Sequence, residues 1–161
     1  FSICFGIEDT FYTKKQIRQR LNIPVLGLWY QLDNHHDGEE ELQTSLAVQS
    51  VMNQDVIFVD IINGNYAEQF YEQYTSIFSS KENGSLQTIS YPIIRQEEYD
   101  KLENANVILV IPFGVPCANQ AEDIVCELQR RNCHIAGAVL TNCNYKWVKA
   151  YYNKFSTERG K

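Results

Sequence analysis

The sequence lacks several features that would assign it to a functional class at once. It has no excess of positive charge, because 14 lysines and arginines stand against 20 acidic residues and give a formal net charge of −6. A broad nucleic-acid interface needs a basic face, so nucleic acid is not an expected partner. No apolar run approaches the roughly 18 residues that a membrane-spanning helix needs. The five cysteines form no C-x-x-C pair, which predicts reduced thiols in a cytosolic protein.

Methionine is also scarce, and the chain does not begin with it. The sole methionine is Met52, inside a predicted helix, and the first residue is Phe1. We therefore expect a processed chain or a piece of a longer protein. Residues 1–7 are apolar enough to be the end of an upstream membrane span, or equally an edge strand, and the sequence alone leaves both interpretations open.

What the sequence does contain is typical of one globular domain. Its 161 residues are 44% hydrophobic and 12% aromatic, which is enough to build a single sizeable core. We predict a single cytoplasmic α/β domain over residues 1–161. Residues 1–24 would form a lead-in, and residues 25–161 would form the sheet and its helices.

Buried strands alternate with amphipathic helices along the chain. Runs rich in apolar and β-branched residues predict strands at 25–29, 55–62, 86–90, 106–112 and 134–140. Helical patterns lie around them, at 13–21, 39–52, 66–78, 96–102, 118–131 and 145–155. This alternation predicts repeated βαβ units, whose right-handed crossovers place helices on both faces of the sheet. The expected fold is a small doubly wound parallel sheet of about five strands.

The second of these helices begins with three glutamates, Glu39 to Glu41, which complement the positive end of the helix dipole. Leu42, Leu46 and Val51 give the same helix a partly apolar face.

A possible phosphate site lies where the strand at 55–62 turns into the following helix. Such a turn binds phosphate in α/β proteins because the helix N-terminus offers free N–H groups and positive dipole. The phosphate-binding version has the pattern G-x-x-x-x-G-K-[ST]. Here the turn is Asn63, Gly64, Asn65 and Tyr66, with one glycine and no lysine. We expect these four residues to mark a degenerate phosphate loop, with Gly64 as the hinge into the helix.

Two other groups of residues suggest chemistry but fail on spacing. Asp33, His35, His36 and Asp37 contain metal-ligating side chains, but adjacent residues rarely converge on one ion, and no distant partner is evident. We expect a solvated loop there and assign no metal ligand.

A nucleophilic cysteine would need a nearby base. Cys143 follows the last predicted strand, at the edge where doubly wound folds bind ligands. The nearest histidine in sequence is His134, roughly 20 Å away at the opposite end of that strand. A catalytic dyad is therefore excluded. We expect a structural cysteine, and we assign no catalytic residue.

Several phrases of the sequence resemble one known family. Asp9-Thr10, the helix from Thr13 and the phrase from Leu21 to Gly27 resemble the segment after the second membrane span of bacterial polysaccharide co-polymerases. The strand from Asn106 to Ile111 and the stretch from Ile135 to Asn142 resemble strands of the same family. This group includes chain-length determinants and the related bacterial tyrosine kinases, whose kinase domains are doubly wound P-loop proteins. The resemblance spans about residues 1–152.

The chain departs from the family at each nucleotide motif. The glycine-rich loop that ends in Gly-Lys-Ser/Thr is replaced by Asn63 to Tyr66. An Asp-x-Asp strand end has no clear match, since Asp60 fits only if the whole strand is shifted in register. The Asp-x-Pro-Pro turn corresponds at best to residues 90–92, without the carboxylate. Phosphoryl transfer depends on a lysine and on carboxylates that hold Mg²⁺, so the resemblance implies a degenerate P-loop NTPase-like domain that has no cofactor and is not an active enzyme.

The resemblance also implies a role. It points to a non-catalytic domain of a membrane protein in capsular or exopolysaccharide biosynthesis or chain-length control, on the cytoplasmic side of the bacterial inner membrane. Its partners would be proteins, either itself or a cognate kinase or polymerase, and a segment upstream of Phe1 would attach it to the membrane. Two alternatives stay open: a nucleotide- or anion-binding switch or kinase-like enzyme with an altered phosphate loop, and a stand-alone α/β protein.

The tyrosine kinases of the family carry a phosphorylated tyrosine cluster near the C-terminus. Tyr145, Tyr151 and Tyr152 lie in the corresponding region, and the sequence leaves their phosphorylation undecided. The helical spacing of Trp147 and Tyr151 instead favours ordinary packing of an aromatic stripe.

Overall fold

The predicted alternation of strands and helices is present in the structure, a computed structural model that describes residues 9–30, 39–50, 55–62, 64–77, 86–90, 96–144 and 146. The described helices are α1 (Lys14–Leu21), α2 (Glu39–Ser50), α3 (Tyr66–Ile77), α4 (Gln96–Glu103) and α5 (Ala118–Arg130). The described strands are β1 (Val25–Tyr30), β2 (Val56–Asp60), β3 (Leu86–Ser90), β4 (Asn106–Pro112) and β5 (His134–Cys143).

The five strands form one parallel sheet in the order β1-β5-β4-β2-β3. The prediction of a small doubly wound parallel sheet is therefore confirmed. β1 and β5 are longer than the sequence predicted, β1 by Tyr30 and β5 by residues 141–143. β5 continues through Cys143, where we expected a loop from Thr141, because Thr141 pairs with Pro112 and Cys143 pairs with Tyr30 at the end of β1.

Helices cover both faces of the sheet, as the crossover rule requires. The connections through α2 and α3 move across the sheet in one direction, whereas those through α4 and α5 move back in the other. Two separate cores correspond to this division. One contains α2 and α3 side chains such as Val48, Phe70 and Tyr74. The other contains α1, α4 and α5 side chains such as Ile17, Leu102, Ile124 and Leu128.

The first helix begins with a capping box formed by Thr13 and Gln16. Thr13 Oγ1 accepts a hydrogen bond from the Gln16 backbone N–H, and Gln16 Oε1 accepts one from the Thr13 backbone N–H. Arg20, near the end of α1, donates to Glu122 and Asn119 on α5. These contacts hold α1 against α5.

The orientation of α2 differs from the one its apolar pattern suggests. Leu42 and Leu46 are 50% and 51% exposed, whereas Thr44 and Ser45 are buried. The cause lies in β1, where Gly27 lacks a side chain. A Cβ atom on Gly27 would lie 2.1 Å from Thr44 Oγ1.

The open space at Gly27 lets Thr44 reach the strand, and Thr44 Oγ1 donates to the Leu28 carbonyl at 2.7 Å. A polar contact with the backbone of the edge strand therefore decides which side of α2 is buried. Val51, the third residue of the predicted apolar face, lies outside the described residues.

Candidate functional site at the carboxyl ends of the strands

The carboxyl ends of β2 and β4 form the topological switch point of the sheet. These strands are neighbours, but the chain leaves β2 toward α3 on one face and leaves β4 toward α5 on the other. Doubly wound folds bind ligands in the crevice outside such a point. The N-termini of α3 and α5 flank it, and the first N–H groups of a helix have no partner inside the helix. The chemistry of the crevice depends on what the first N–H groups of α3 and α5 bind.

At the start of α3, one of these N–H groups binds the side chain of the residue that ends the preceding strand. Asp60 is the last residue of β2 and is 2% exposed. Its Oδ1 accepts a hydrogen bond from the Ala67 backbone N–H at 2.7 Å. Ala67 is the second residue of α3, so its N–H is one of the donors that would hold a phosphate. The side chain of Asp60 occupies that position instead.

The turn between β2 and α3 contains a glycine for a steric reason of its own. Among the described residues of this turn, Asn65 has a positive φ (57°), so the left-handed conformation lies one residue after Gly64, where we expected the hinge into the helix. A Cβ atom on Gly64 would lie 2.4 Å from the ring of Tyr66. The glycine thus makes room for a neighbouring aromatic ring. Asn63, the first residue of the predicted degenerate loop, lies outside the described residues.

At the start of α5, the donors bind a residue from far away in the sequence. The carbonyl oxygen of Asp9 accepts from the backbone N–H groups of Cys117 at 2.7 Å and Ala118 at 2.9 Å. Asp9 Oδ1 also accepts from the backbone N–H of Asn119 at 2.9 Å. One aspartate therefore satisfies three successive donors at this helix end.

The residues after Asp9 continue along the loop that joins β4 to α5. Thr10 forms an antiparallel bridge with Pro116, and the Gly114 N–H donates to the Phe11 carbonyl at 3.0 Å. The rings of Tyr12 and Phe113 meet edge to face. We call residues 9–13 the lead-in strap, since they lie across this loop and hold it.

Neither buried cysteine near the crevice has the chemistry of a nucleophile. Burial, together with the nearby negative charge of Asp9, raises the pKa of the Cys117 thiol to about 12. Cys117 is therefore a thiol at neutral pH, whereas the thiolate is the reactive form. Cys143 is fully buried and its Sγ donates to the Leu140 carbonyl. His134 is at the opposite end of β5, so the predicted absence of a cysteine–histidine dyad agrees with the strand geometry.

Other predicted features fall partly or wholly outside the described part of the chain. Among the residues that are described, no three His, Cys, Asp or Glu side chains come together in a way that could hold a metal ion. None of the described helices has the length and apolarity that crossing a bilayer requires. The loop with His35 and His36, and the tyrosines Tyr145, Tyr151 and Tyr152, lie outside the described residues.

Sequence reasoning missed the two residues that define the site. It considered Asp60 only as a match to an acidic motif and Asp9 only as part of a polar lead-in. A signal for Asp60 does exist, because a carboxylate that ends a buried strand just before a helix is well placed to cap that helix. No local pattern indicates that Asp9 caps a helix that begins more than a hundred residues later.

The fold and the two capped helix ends define a doubly wound α/β protein in which Asp60 and Asp9 bind four N–H donors beside the switch point, those of Ala67, Cys117, Ala118 and Asn119. No protein-family model matches the chain, and a comparison with curated proteins finds no match. The chemistry of the crevice must therefore be judged from its own residues.

Proposed function

We propose that this chain is a non-catalytic domain that acts through protein contacts. We further propose that it belongs to a membrane protein of bacterial capsular or exopolysaccharide assembly, on the cytoplasmic side of the membrane. One observation carries the first part: the Asp60 side chain is bound to the N-terminus of α3, where a nucleotide phosphate would have to bind.

Charge makes this arrangement unfavourable for phosphate. An anion that approached the Ala67 N–H would meet a carboxylate on the same donor. Two like unit charges about 4 Å apart repel by about 4 kcal/mol near a protein surface. A kinase-type phosphate loop offsets such repulsion with a lysine and bound Mg²⁺, but the turn from Asn63 to Tyr66 contains no lysine.

The second helix end supports the same conclusion. Three donors at the start of α5 are bound to Asp9, so this side of the crevice also offers an anion no free N–H group at those three residues. One N–H donor at the start of α3 and three at the start of α5 therefore bind aspartates of the chain itself.

The membrane and polysaccharide part of the proposal depends on the family resemblance. The lead-in strap is consistent with it, because the strap joins the first residues of the chain directly to the β4–α5 loop. A domain that is attached through its N-terminus and offers no phosphate site would act by presenting a surface to other proteins.

Isothermal titration of the full chain with Mg-ATP and Mg-ADP tests the first part. We expect no measurable binding at millimolar nucleotide, and micromolar affinity would contradict the proposal. Asp60→Asn is the matched variant, since it keeps an oxygen acceptor for Ala67 but removes the charge. Weak phosphate binding that arises only in this variant would support the role of the Asp60 charge.

The membrane part is tested by the reading frame that encodes the chain. We expect apolar spans upstream of Phe1, whereas a start codon at that point would favour a stand-alone protein.

A further inference from the structure

We propose that α1 docks on the surface of a bilayer that contains anionic phospholipids. The contact is made by Lys14, Lys15 and Arg18, which we call the basic side of α1. This inference rests on the membrane part of the proposed function, and it assigns a membrane-facing surface to the domain itself. It follows from the number of cations on α1, from their ion pairing and from their positions on the helix.

The charged residues of α1 are all positive. Its eight residues hold four of the 14 lysines and arginines of the chain and none of the 20 acidic residues. The net charge of the whole chain is nevertheless −6. Charges on distant faces are screened within about 8 Å at physiological ionic strength, so α1 can still attract an anionic surface. Basic clusters on amphipathic helices bind anionic headgroups in this way.

Three of the four cations are available to a partner outside the chain. Arg20 is the exception, because it donates to Glu122 and Asn119 on α5. Lys14, Lys15 and Arg18 form no ion pair with any residue that the structure describes. Lys15 and Arg18 are exposed, and Lys14 is half-buried. Successive residues of a helix are about 100° apart, so these three cations share the side of α1 that faces away from Arg20.

Two of the lysines occupy positions that the helix itself disfavours. Thr13 is the N-cap, so Lys14 and Lys15 are the first and second residues of α1. A helix N-terminus carries partial positive charge, which repels cations. The first turns of α3 and α4 contain glutamates, whereas the first turn of α1 contains no acidic residue. Local conflicts of this kind are typical of functional sites, and an external anion would relieve this one.

The fold holds α1 in place and so presents its basic side in advance. Ile17 and Leu21 are buried in the core, and Thr13 and Gln16 form the capping box. Arg20 attaches the last turn to α5. Docking therefore needs no ordering of the helix, which would otherwise reduce the affinity.

The residues before α1 favour a bilayer over other anionic partners. The lead-in strap precedes α1, and the apolar residues 1–7 precede the strap. Within the strap, the half-buried rings of Tyr12 and Phe113 meet edge to face just before the first lysine. Aromatic residues are enriched at the boundary between water and lipid. Apolar and aromatic groups next to cations match the two layers of a bilayer surface, whereas an acidic polypeptide would need only the cations.

Flotation of the full chain with vesicles tests the proposal. We expect binding to vesicles of phosphatidylglycerol and phosphatidylcholine in equal parts, and we expect it to weaken as the salt concentration rises. Each cation near an anionic surface contributes about fivefold in affinity. Lys15→Gln/Arg18→Gln should therefore lower the partition coefficient by about 25-fold.

Two control variants separate the position of the charge from its amount. Lys101→Gln/Arg130→Gln removes one lysine and one arginine from exposed positions on α4 and α5, and it should leave vesicle binding unchanged. Lys15→Arg/Arg18→Lys keeps both charges of the basic side and should also bind as the natural chain does. Circular dichroism checks that each variant is folded.

Several results would overturn the proposal: no binding to the anionic vesicles, equal binding to vesicles of phosphatidylcholine alone, or equal losses in the α1 variant and the α4–α5 control. Binding to poly-glutamate without binding to vesicles would overturn it as well, in favour of an acidic protein partner. Apolar spans upstream of Phe1 would still support membrane attachment in each case, so failure here can be distinguished from failure of the proposed function.

Discussion

The N-termini of α3 and α5 flank the same crevice and each bind an aspartate, but the two aspartates reach them in different ways. Asp60 precedes its partner Ala67 by seven residues and arrives on the adjacent strand. Asp9 precedes Asn119 by 110 residues and arrives on a separate strap. An aspartate thus caps both helices, but the aspartate comes from a nearby residue at α3 and from a distant part of the chain at α5.

The two caps also differ in their surroundings. The bond from Ala67 to Asp60 is buried, whereas the bond from Asn119 to the Asp9 side chain is exposed. A hydrogen bond contributes modestly to stability, but a buried donor that loses its partner costs the full free energy of its desolvation. We therefore expect the local cap to matter more for stability than the distant one.

The largest effect should come from Asp60→Ala. This change leaves the buried Ala67 N–H without its acceptor and should lower the free energy of unfolding by about 1–3 kcal/mol. Urea denaturation of the variant and the natural chain measures the difference. Asp60→Asn should cost less, since it keeps an acceptor. Equal stability of Asp60→Ala and the natural chain would show that the cap is not energetically important.

A smaller effect is expected for Asp9→Ala. The variant loses the exposed side-chain bond to Asn119, but it keeps the backbone carbonyl that binds Cys117 and Ala118. We expect a loss of about 0.5–1 kcal/mol. Amide hydrogen exchange should speed up at Asn119 more than at Ala118. If exchange became faster by the same factor at Ala118 and Asn119, the whole lead-in strap would have detached, and this result would contradict the prediction.

The smallest effect at neutral pH should come from Cys117. Its thiol has a pKa of about 12 in the folded chain, against an ordinary value of 9.0. At a pH between these two pKa values, the Cys117 thiol is deprotonated in the unfolded chain but still protonated in the folded chain, and this difference favours unfolding. The contribution of Cys117 to the free energy of unfolding is therefore fully present below about pH 9, and it declines as the pH rises towards 12.

Comparison with Cys117→Ala isolates this contribution. The free energy of unfolding of the variant should fall less steeply with pH in the alkaline range than that of the natural chain. Asp9→Asn should also lessen the slope, because the charge of Asp9 helps to raise the thiol pKa. Parallel pH profiles for all three chains would contradict the assignment.

The sequence predicted the two central strands well because β2 and β4 are apolar runs that are buried on both faces. β2 and β4 have every residue buried, and their boundaries lie within two residues of the predicted ones. Patterns of this kind are local, so they can be recognised without knowledge of the tertiary fold.

The sequence predicted the site and the orientation of α2 less well, because both depend on distant contacts. The position of Thr44 on Leu28 and the open space at Gly27 outweigh the apolar pattern of Leu42 and Leu46. Asp9 likewise gains its role only when the strap meets α5. A helical periodicity indicates which side is apolar, but the tertiary packing decides which side is buried.

The central claim is that the chain's own aspartates fill the helix ends at the switch point. The most direct test is a ¹H–¹⁵N NMR titration of the full chain with inorganic phosphate, in which the backbone amides of Ala67 and Asn119 are followed. We predict that neither amide shifts in the natural chain. A saturable shift at Ala67, with the Asp60 side chain intact, would contradict the account.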